Sequence, residues 1–331
     1  MKMPCFGFRR IKRHNRGMGL ALAVLLVVVS GIDGDLAEHF GSPRVHTTLQ
    51  AVQTEGFSGV WIIPRGNVGQ AKQITFGKLD GLPGIAWTPD GRIVYATRDF
   101  DLWIVDKDGG NRRFLTGDKR LNVRPSVSSD SRYIVFASMR KGLHIWRMDI
   151  DGRNLKQLTR VEGGDFPLCS PDQRWVIFQA KASGKWALWK IPIDGGEPAL
   201  LTERLSSAPA VSPDGSLIAG FNRPFPASPD TISIFAFGSR RAVKNLVAFP
   251  ATVVPAQKIV RWTPDGHALT YIVNNNGVCN IWSQSLEGGP PKQLTDFKAG
   301  MIWSFDWSKD NDLALARGVF NNNFFLISNT G

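Results

Sequence analysis

From residue 85 onward, short apolar runs alternate with turn residues, and the alternation repeats. "WTPDGRIVYAT" begins at Trp87, "CSPDQRWVIFQ" at Cys169, "VSPDGSLIAGF" at Val211 and "WTPDGHALTYI" at Trp262. Looser copies, "VSSDSRYIVFA" and "WSKDNDLALAR", begin at Val127 and Trp307. With Asp90, Asp130, Asp172, Asp214, Asp265 and Asp310 as anchors, the steps are 40, 42, 42, 51 and 45 residues. A period of that length belongs to stacked supersecondary units.

Each unit divides into four β runs. The first ends at the anchor, as in "GIAWTPD", and Ser/Thr-Pro-Asp-Gly makes a tight turn because Pro presets φ and Gly accepts a positive one. The second, such as "RIVYAT", is rich in β-branched and aromatic residues. The third carries Trp103, Trp146, Trp189 or Trp282, and a Gly-bearing turn such as "DKDGGN" or "PIDGGEP" leads to a fourth, "RFLT", "KQLT" or "ALLT". Four antiparallel strands in about 40 residues make one propeller blade. The fold class is therefore all-β, a propeller whose blades pack through the third-strand Trp and the Trp, Val or Cys before each anchor. "TTLQAVQTE", "GVWIIPR" and "KQIT" read as a leading unit without its first strand, and "DLALARG" and "NFFLIS" as the second and third strands of the last unit. This count favours seven blades. Six would require the two ends of the chain to share a blade and would leave Thr47–Glu55 surplus.

The composition, 43% hydrophobic with 11 Trp, supports a substantial core and excludes disorder. Of the formal charge of +12, six units come from Lys2, Arg9, Arg10, Lys12, Arg13 and Arg16. The apolar run "MGLALAVLLVVVSGI" follows, from Met18 to Ile32. A basic stretch leading into an apolar one is the layout of an export signal or a membrane anchor. The organisation expected is a basic segment at 1–17, a hydrophobic helix serving as signal or anchor at 18–34, a linker at 35–45 and a single propeller domain at 46–331. The address expected is extracytoplasmic, in the periplasm, either secreted or held in the inner membrane. The charge on the rest of the chain is scattered over both signs, which argues against nucleic acid as a partner. Cys5, Cys169 and Cys279 form neither a disulfide framework nor a metal spacing, and Cys169 occupies a slot filled by Trp in other copies.

"SPDGSLIAG" with "IPIDGGEPALLT", and "TPDGHALTYI" with "IWSQSLEGGPPKQLT", resemble the TolB-type, Pro-Asp repeat (WD-like) propellers of bacteria over most of residues 47–328. In particular they resemble the extracytoplasmic propellers fused behind a membrane helix in some bacterial serine/threonine kinases and winged-helix regulators. The closing stretch "SFDWSKDNDLALARGVFNNNFFLISN" is similar to the end of those proteins. The resemblance implies the fold. For function it implies a binding or sensing role outside the cytoplasm, since TolB is periplasmic and binds envelope proteins while related propellers cap peptidases. Kinase signatures and a G-x-S-x-G elbow are missing from the sequence. The chain thus reads as an independent exported propeller or as the remnant of a larger gene.

No cofactor or metal motif accompanies the repeat. His14, His39, His46, His144 and His267 lack ligand spacing, and the anchor aspartates are turn residues. A less bland pattern is the cation near the end of the second strand: Arg98, Arg140, Lys181, Arg223 and Arg317, with Asn274 in the remaining unit. Alternation and up-down topology place these residues at the end opposite the Pro-Asp-Gly turns, where they are either a partner-binding rim or members of local ion pairs. Lys119, Arg120 and Arg124 are among further cations placed at that end, and the long step adds "NRPFPASPD" (Asn222–Asp230) there. The function expected is a non-catalytic, monomeric binding or sensing module for a protein or small anionic ligand, touching membrane only through its N-terminal segment. The alternatives are an enzyme with its active site in the central funnel and a TolB-like component of envelope transport.

Overall fold

A computed structural model describes residues 27–30, 47–160, 163–182, 184–202, 207–222, 231–239, 242–246 and 259–328. The four runs of each repeat are four antiparallel strands. Blade 1 is β4 (Ile85–Trp87), β5 (Arg92–Ala96), β6 (Leu102–Asp106) and β7 (Arg113–Phe114). Blade 2 is β8 (Asn122–Val127), β9 (Tyr133–Ser138), β10 (His144–Asp149) and β11 (Lys156–Gln157). Blade 3 is β12 (Asp165–Cys169), β13 (Trp175–Ala182), β14 (Lys185–Pro192) and β15 (Ala199–Thr202). Blade 4 is β16 (Ser207–Val211), β17 (Leu217–Asn222), β18 (Thr231–Ala236) and β19 (Ala242–Leu246). Blade 5 is β20 (Val260–Trp262), β21 (Ala268–Asn275), β22 (Val278–Ser285) and β23 (Lys292–Gln293).

The blades number six, not the seven favoured from the sequence. The sixth is shared between the ends of the chain. Its first two strands are β24 (Met301–Trp307) and β25 (Leu313–Ser328), and its last two are β2 (Thr47–Ile63) and β3 (Lys72–Gln73). "TTLQAVQTE" and the "GVWII" of the next run belong to one continuous strand, and so do "LALARG" and "NFFLIS". A partial unit at each end would leave an unburied sheet face and an open edge, and merging the two removes both. At the junction Gly318 lies so close to Phe57 and Ser58 that a Cβ would meet the Phe57 carbonyl.

Compactness divides the chain into Met1–Glu55 with Phe320–Gly331, and Gly56–Val319. In the first unit, β1 (Val27–Ser30) pairs antiparallel with Thr47–Gln50. The rest of the expected N-terminal helix, and with it the signal or anchor segment, lies outside the described residues. The second unit holds the blades.

The second strands explain why their apolar runs lack polar alternation. In β5, Ile93 and Tyr95 pack toward blade 6 while Val94 and Ala96 pack toward blade 2. In β9, Ile134 and Phe136 face blade 1 and Val135 and Ala137 face blade 3. Successive side chains of a strand point to opposite faces, and here both faces are buried against neighbours. The buried residues fall into six clusters, one for each pair of adjacent blades. The residue before the anchor turn enters the interface with the preceding blade in every copy: Trp87, Val127, Cys169, Val211, Trp262 and Trp307. Burial pushes the Cys169 thiol up to about 12, as befits a packed side chain. The Trp residues in this slot also donate across the interface. Trp87 Nε1 reaches the Asp306 carbonyl at 3.2 Å, Trp262 Nε1 the Ala210 carbonyl at 3.0 Å and Trp307 Nε1 the Thr270 hydroxyl at 2.9 Å.

The anchor turns are built by side chains as well as by Pro and Gly. The Ser212 hydroxyl donates to Asp214 at 2.5 Å and accepts the Leu217 amide at 2.9 Å, and Asp214 accepts the Ser216 amide at 3.0 Å. The same bonds recur around Ser128–Asp130, Ser170–Asp172 and Thr263–Asp265. The fourth turn position is left-handed in all six copies, at Gly91, Ser131, Gln173, Gly215, Gly266 and Asn311. The worn copies thus keep the shape without the glycine. At the far end of four of the fourth strands a Thr hydroxyl accepts a third-strand amide: Thr75 from Val60 at 3.0 Å, Thr116 from Leu102 at 2.9 Å, Thr159 from Ile145 at 3.0 Å and Thr295 from Ile281 at 2.9 Å.

Gln173 sits at φ 62°, where a side chain is strained. Gln173→Gly should therefore stabilise the protein by about 1 kcal/mol, read as a higher urea midpoint with unchanged slope. An unchanged or lower midpoint would mean that the turn tolerates its side chain at no cost.

Hydrogen bonds from Ser212 and Ser216 hold the Asp214 carboxyl down to about 2, below its ordinary value near 4. Its contribution is therefore present above about pH 4 and is lost as pH falls toward about 2. Asp214→Asn should flatten the acid side of the stability–pH curve in that window, and parallel curves for the two proteins would contradict this. Asp80, Asp101 and Asp306 are shifted upward by burial and oppose the trend in both proteins equally.

Candidate functional site: the axial mouth

The first strands are innermost and line an axial channel that opens at both ends. At the end of the anchor turns lies a cavity of about 330 Å³ bordered by Trp87, Pro171, Pro213, Trp262, Pro264 and Trp307. At the other end, where second strands meet third and fourth strands meet first, a mouth of about 350 Å³ is lined chiefly by Leu82, Leu121, Arg124, Phe166, Ile259 and Trp303. Ile85, Pro125, Leu168 and Arg261 border both. The mouth is concave and mostly apolar with a few polar groups, the usual character of a binding site.

Four first-strand bulges shape this mouth; one is in β24 between Ile302 and Ser304, and the other three share a pattern. The pairing of β8, β12 and β16 shifts register between Val123 and Ser126, Asp165 and Leu168, and Ser207 and Ala210. At the centre of each shift stands a left-handed residue followed by proline: Arg124-Pro125, Phe166-Pro167 and Ala208-Pro209. A bulge bends the strand and re-aims a side chain, and proline removes a ladder donor at a point where none is needed. The freed Arg124 amide bonds the Pro83 carbonyl of blade 1 at 2.9 Å. Arg124 lies over the Phe166 ring, 3.9 Å from its centroid, and pairs with Asp165 at 2.5 Å. Deeper in the channel Arg261 lies 3.4 Å from Asp306, whose carboxylate accepts the Trp87 amide at 2.9 Å. Burial raises the Asp306 carboxyl above its ordinary value against the pull of Arg261. Both arginines of the channel thus have carboxylate partners, and the mouth is nearly neutral.

The repeated second-strand cations stand at this same end, but they do not converge. Arg140 is largely enclosed: it pairs with Asp118 at 2.7 Å, donates to Asn122 and Ser138 at 2.7 Å each, and lies over Phe136 and Trp146. Arg317 donates to the Ala299 carbonyl at 2.6 Å and lies 4.1 Å from the Phe297 ring centroid. Desolvation lowers the pKa of both arginines. Lys181 is exposed, with its ammonium 5.8 Å from the Trp186 ring. Arg98 is half-buried in the tight turn Thr97–Asp101. Arg223, with most of the Asn222–Asp230 loop, lies outside the described residues. The sequence reading placed Arg124 at this end only as one of its cations, and missed the bulges and Phe166. Their signal was available as a proline five residues before the anchor, at Pro125, Pro167 and Pro209.

A six-bladed ring of Pro-Asp repeat blades with an axial mouth defines a Pro-Asp repeat propeller. A family model described as TolB beta propeller domain matches residues 28–206, more than half of the sequence, and the chain belongs to that family. It is 39% identical over 98 residues to an uncharacterized protein of Agrobacterium fabrum, a match covering 28% of this chain and 33% of that one. It is 31% identical over 130 residues to the Tol-Pal system protein TolB of Anaeromyxobacter dehalogenans, covering 39% of this chain and 29% of that one. The chain thus matches about a third of the length of these relatives. The crystal structure of TolB from Acinetobacter baumannii shares the fold, with a TM-score of 0.59 at 19% identity over 81% of this chain and 66% of that one.

The two kinds of second-strand cation can be told apart by substitution. Arg140→Gln should cost about 1–3 kcal/mol, since it leaves Asp118 and Asn122 without their enclosed partner. Lys181→Gln should change stability by less than about 0.5 kcal/mol. Equal losses in chemical denaturation would show that the rim is uniform.

Proposed function

We propose that this chain is a non-catalytic binding module that works outside the cytoplasm in the bacterial envelope, as one propeller domain following an N-terminal export or anchor segment. Its partner, most simply another envelope protein, is engaged across the end of the propeller that carries the axial mouth. The single observation carrying this reading is the mouth itself, an apolar cup of Leu82, Leu121, Phe166, Ile259 and Trp303 held on bulged strands. Its walls are preorganised, so a partner segment entering it costs little ordering of the protein. Family membership and the match to a Tol-Pal system protein support an envelope role. The neutralised arginines favour an apolar or mixed segment over a strongly anionic one. Arg98 and Lys181 belong to the surrounding rim.

The test is photo-crosslinking in cells, with a photoreactive amino acid in place of Phe166 or Trp303 and a control at Leu155, an exposed residue at the anchor-turn end. Adducts with an envelope protein should form from the two mouth positions and not from Leu155. Adducts confined to cytosolic proteins, or equal at all three positions, would refute the reading. Turnover of a small molecule that Trp303→Ala abolishes would instead establish the enzyme alternative.

A further inference from the structure

The two ends of the propeller differ in what they expose. Among the described residues nine large apolar side chains are exposed, and six of them stand at the end carrying the mouth: Phe57, Phe76, Phe100, Met139, Trp186 and Val319. Phe76 is 80% exposed and Met139 53%. Phe76, Phe100 and Met139 rise from separate loops and Trp186 from the start of β14, while Phe57 and Val319 stand on the adjoining strands β2 and β25 of blade 6. Phe100 is held at φ 62° in a turn closed by its own amide to the Thr97 carbonyl at 2.9 Å. A bulky aromatic in that conformation is strained, whereas the anchor turns place mostly Gly, Ser or Asn there.

Charge follows the same division. Lys78, Lys119, Arg120, Lys141, Arg160 and Lys181 are exposed at the mouth end. Of the exposed carboxylates described there, Asp118 is taken up by Arg140 and Asp296 by Lys298, which leaves Asp99. The opposite end also exposes cations, among them Lys107, Arg113, Arg132, Arg153, Arg174 and Lys309, but there they are offset by an aspartate in every anchor turn and by Asp108, Asp151 and Asp194 in the third-to-fourth turns. A protein partner is ordinarily met by a contiguous apolar patch with a polar rim. Separate aromatic tips among lysines and arginines suit a plane that is apolar just below an anionic surface. The chain also enters blade 6 at Gly56–Phe57, on this end, after a segment that itself carries basic residues and an apolar run.

We infer that the mouth end of the propeller docks on an anionic lipid bilayer through Phe76, Phe100, Met139 and Trp186 and the cations around them. The inference deepens the proposed function and rests on its choice of face. A partner segment would then enter the mouth from the membrane side.

The experiment uses the full chain with vesicles of phosphatidylcholine alone, or with about a third phosphatidylglycerol to supply the anionic surface. Amide hydrogen exchange is followed by mass spectrometry, so that attachment through residues 1–45 is read separately from docking of the propeller. Segments 97–101, 139–143 and 181–186 should be protected by the anionic vesicles only, with segments 88–92 and 212–216 unchanged. Protection should be lost in Phe76→Ser/Phe100→Ser/Trp186→Ser and in Lys119→Gln/Arg120→Gln/Lys141→Gln/Lys181→Gln, both checked for folding by circular dichroism. Four charges near the surface correspond to a loss of at least about 100-fold in the partition of the propeller, and raised salt should weaken wild-type protection in the same way. No protection, equal protection by neutral vesicles, protection of the anchor-turn end, or wild-type behaviour of both variants would overturn the inference. Crosslinks from Phe166 to an envelope protein without vesicle protection would leave the binding module standing and remove the bilayer. Vesicle protection without those crosslinks would do the reverse.

Discussion

A blade of this propeller cannot bury itself. Each sheet is apolar on both faces, as the alternating allegiance of Ile93 and Tyr95 against Val94 and Ala96 shows, so each must lie between two others. A row of such sheets leaves two bare faces unless it closes, and closure is therefore the condition on which the other interactions depend. Here it is met by a blade assembled from both ends of the chain, in which Ala314 and Ala316 pack beside Val60 and Ile62 against blade 1. The cost is a loop spanning nearly the whole chain. Loop-closure entropy grows only logarithmically with length, and two complete hydrophobic interfaces, between blades 5 and 6 and between blades 6 and 1, are formed in return.

Closure also assigns different tasks to the two ends. At one end Ser/Thr-x-Asp hydrogen bonding fixes the same turn in blade after blade, and the Trp indoles nearby donate across the interfaces. Little freedom is left there. At the other end the loops differ in length, the first strands bulge, and residues such as Arg124 and Phe166 take conformations that no general rule of the repeat imposes. Irregularity on a rigid ring is where recognition can be placed without disturbing the fold.

The fold was legible because the repeat advertises its turns: Pro, Asp and Gly have strong local preferences, and the apolar runs between them are short. The blade count was not, because strand number is local information whereas the pairing of β2 with β25, at the other end of the sequence, is not. The surplus of Thr47–Glu55 foreseen for six blades exists, as the N-terminal half of one long strand. At the site, the second-strand cations were visible as a pattern, but their partners were less so. Asp118, which holds Arg140, lies in a loop with no repeat signature. The bulges at Arg124 and Phe166 went unread because a register shift is a property of two strands, although a proline five residues before the anchor accompanies each.

The shared blade has a mechanical consequence. The chain enters the ring at Gly56 and leaves it at Val319, with Gly318 abutting Phe57 and Ser58, so entry and exit lie side by side on two neighbouring strands, β2 and β25, that both run on past this point. Tension between the two ends would load the first rungs of that ladder singly, opening it like a zip, instead of shearing all its hydrogen bonds together. The interfaces on either side of blade 6 would give way in sequence behind it. The ring is thus strong against forces that spread its blades and weak against one that draws its own ends apart.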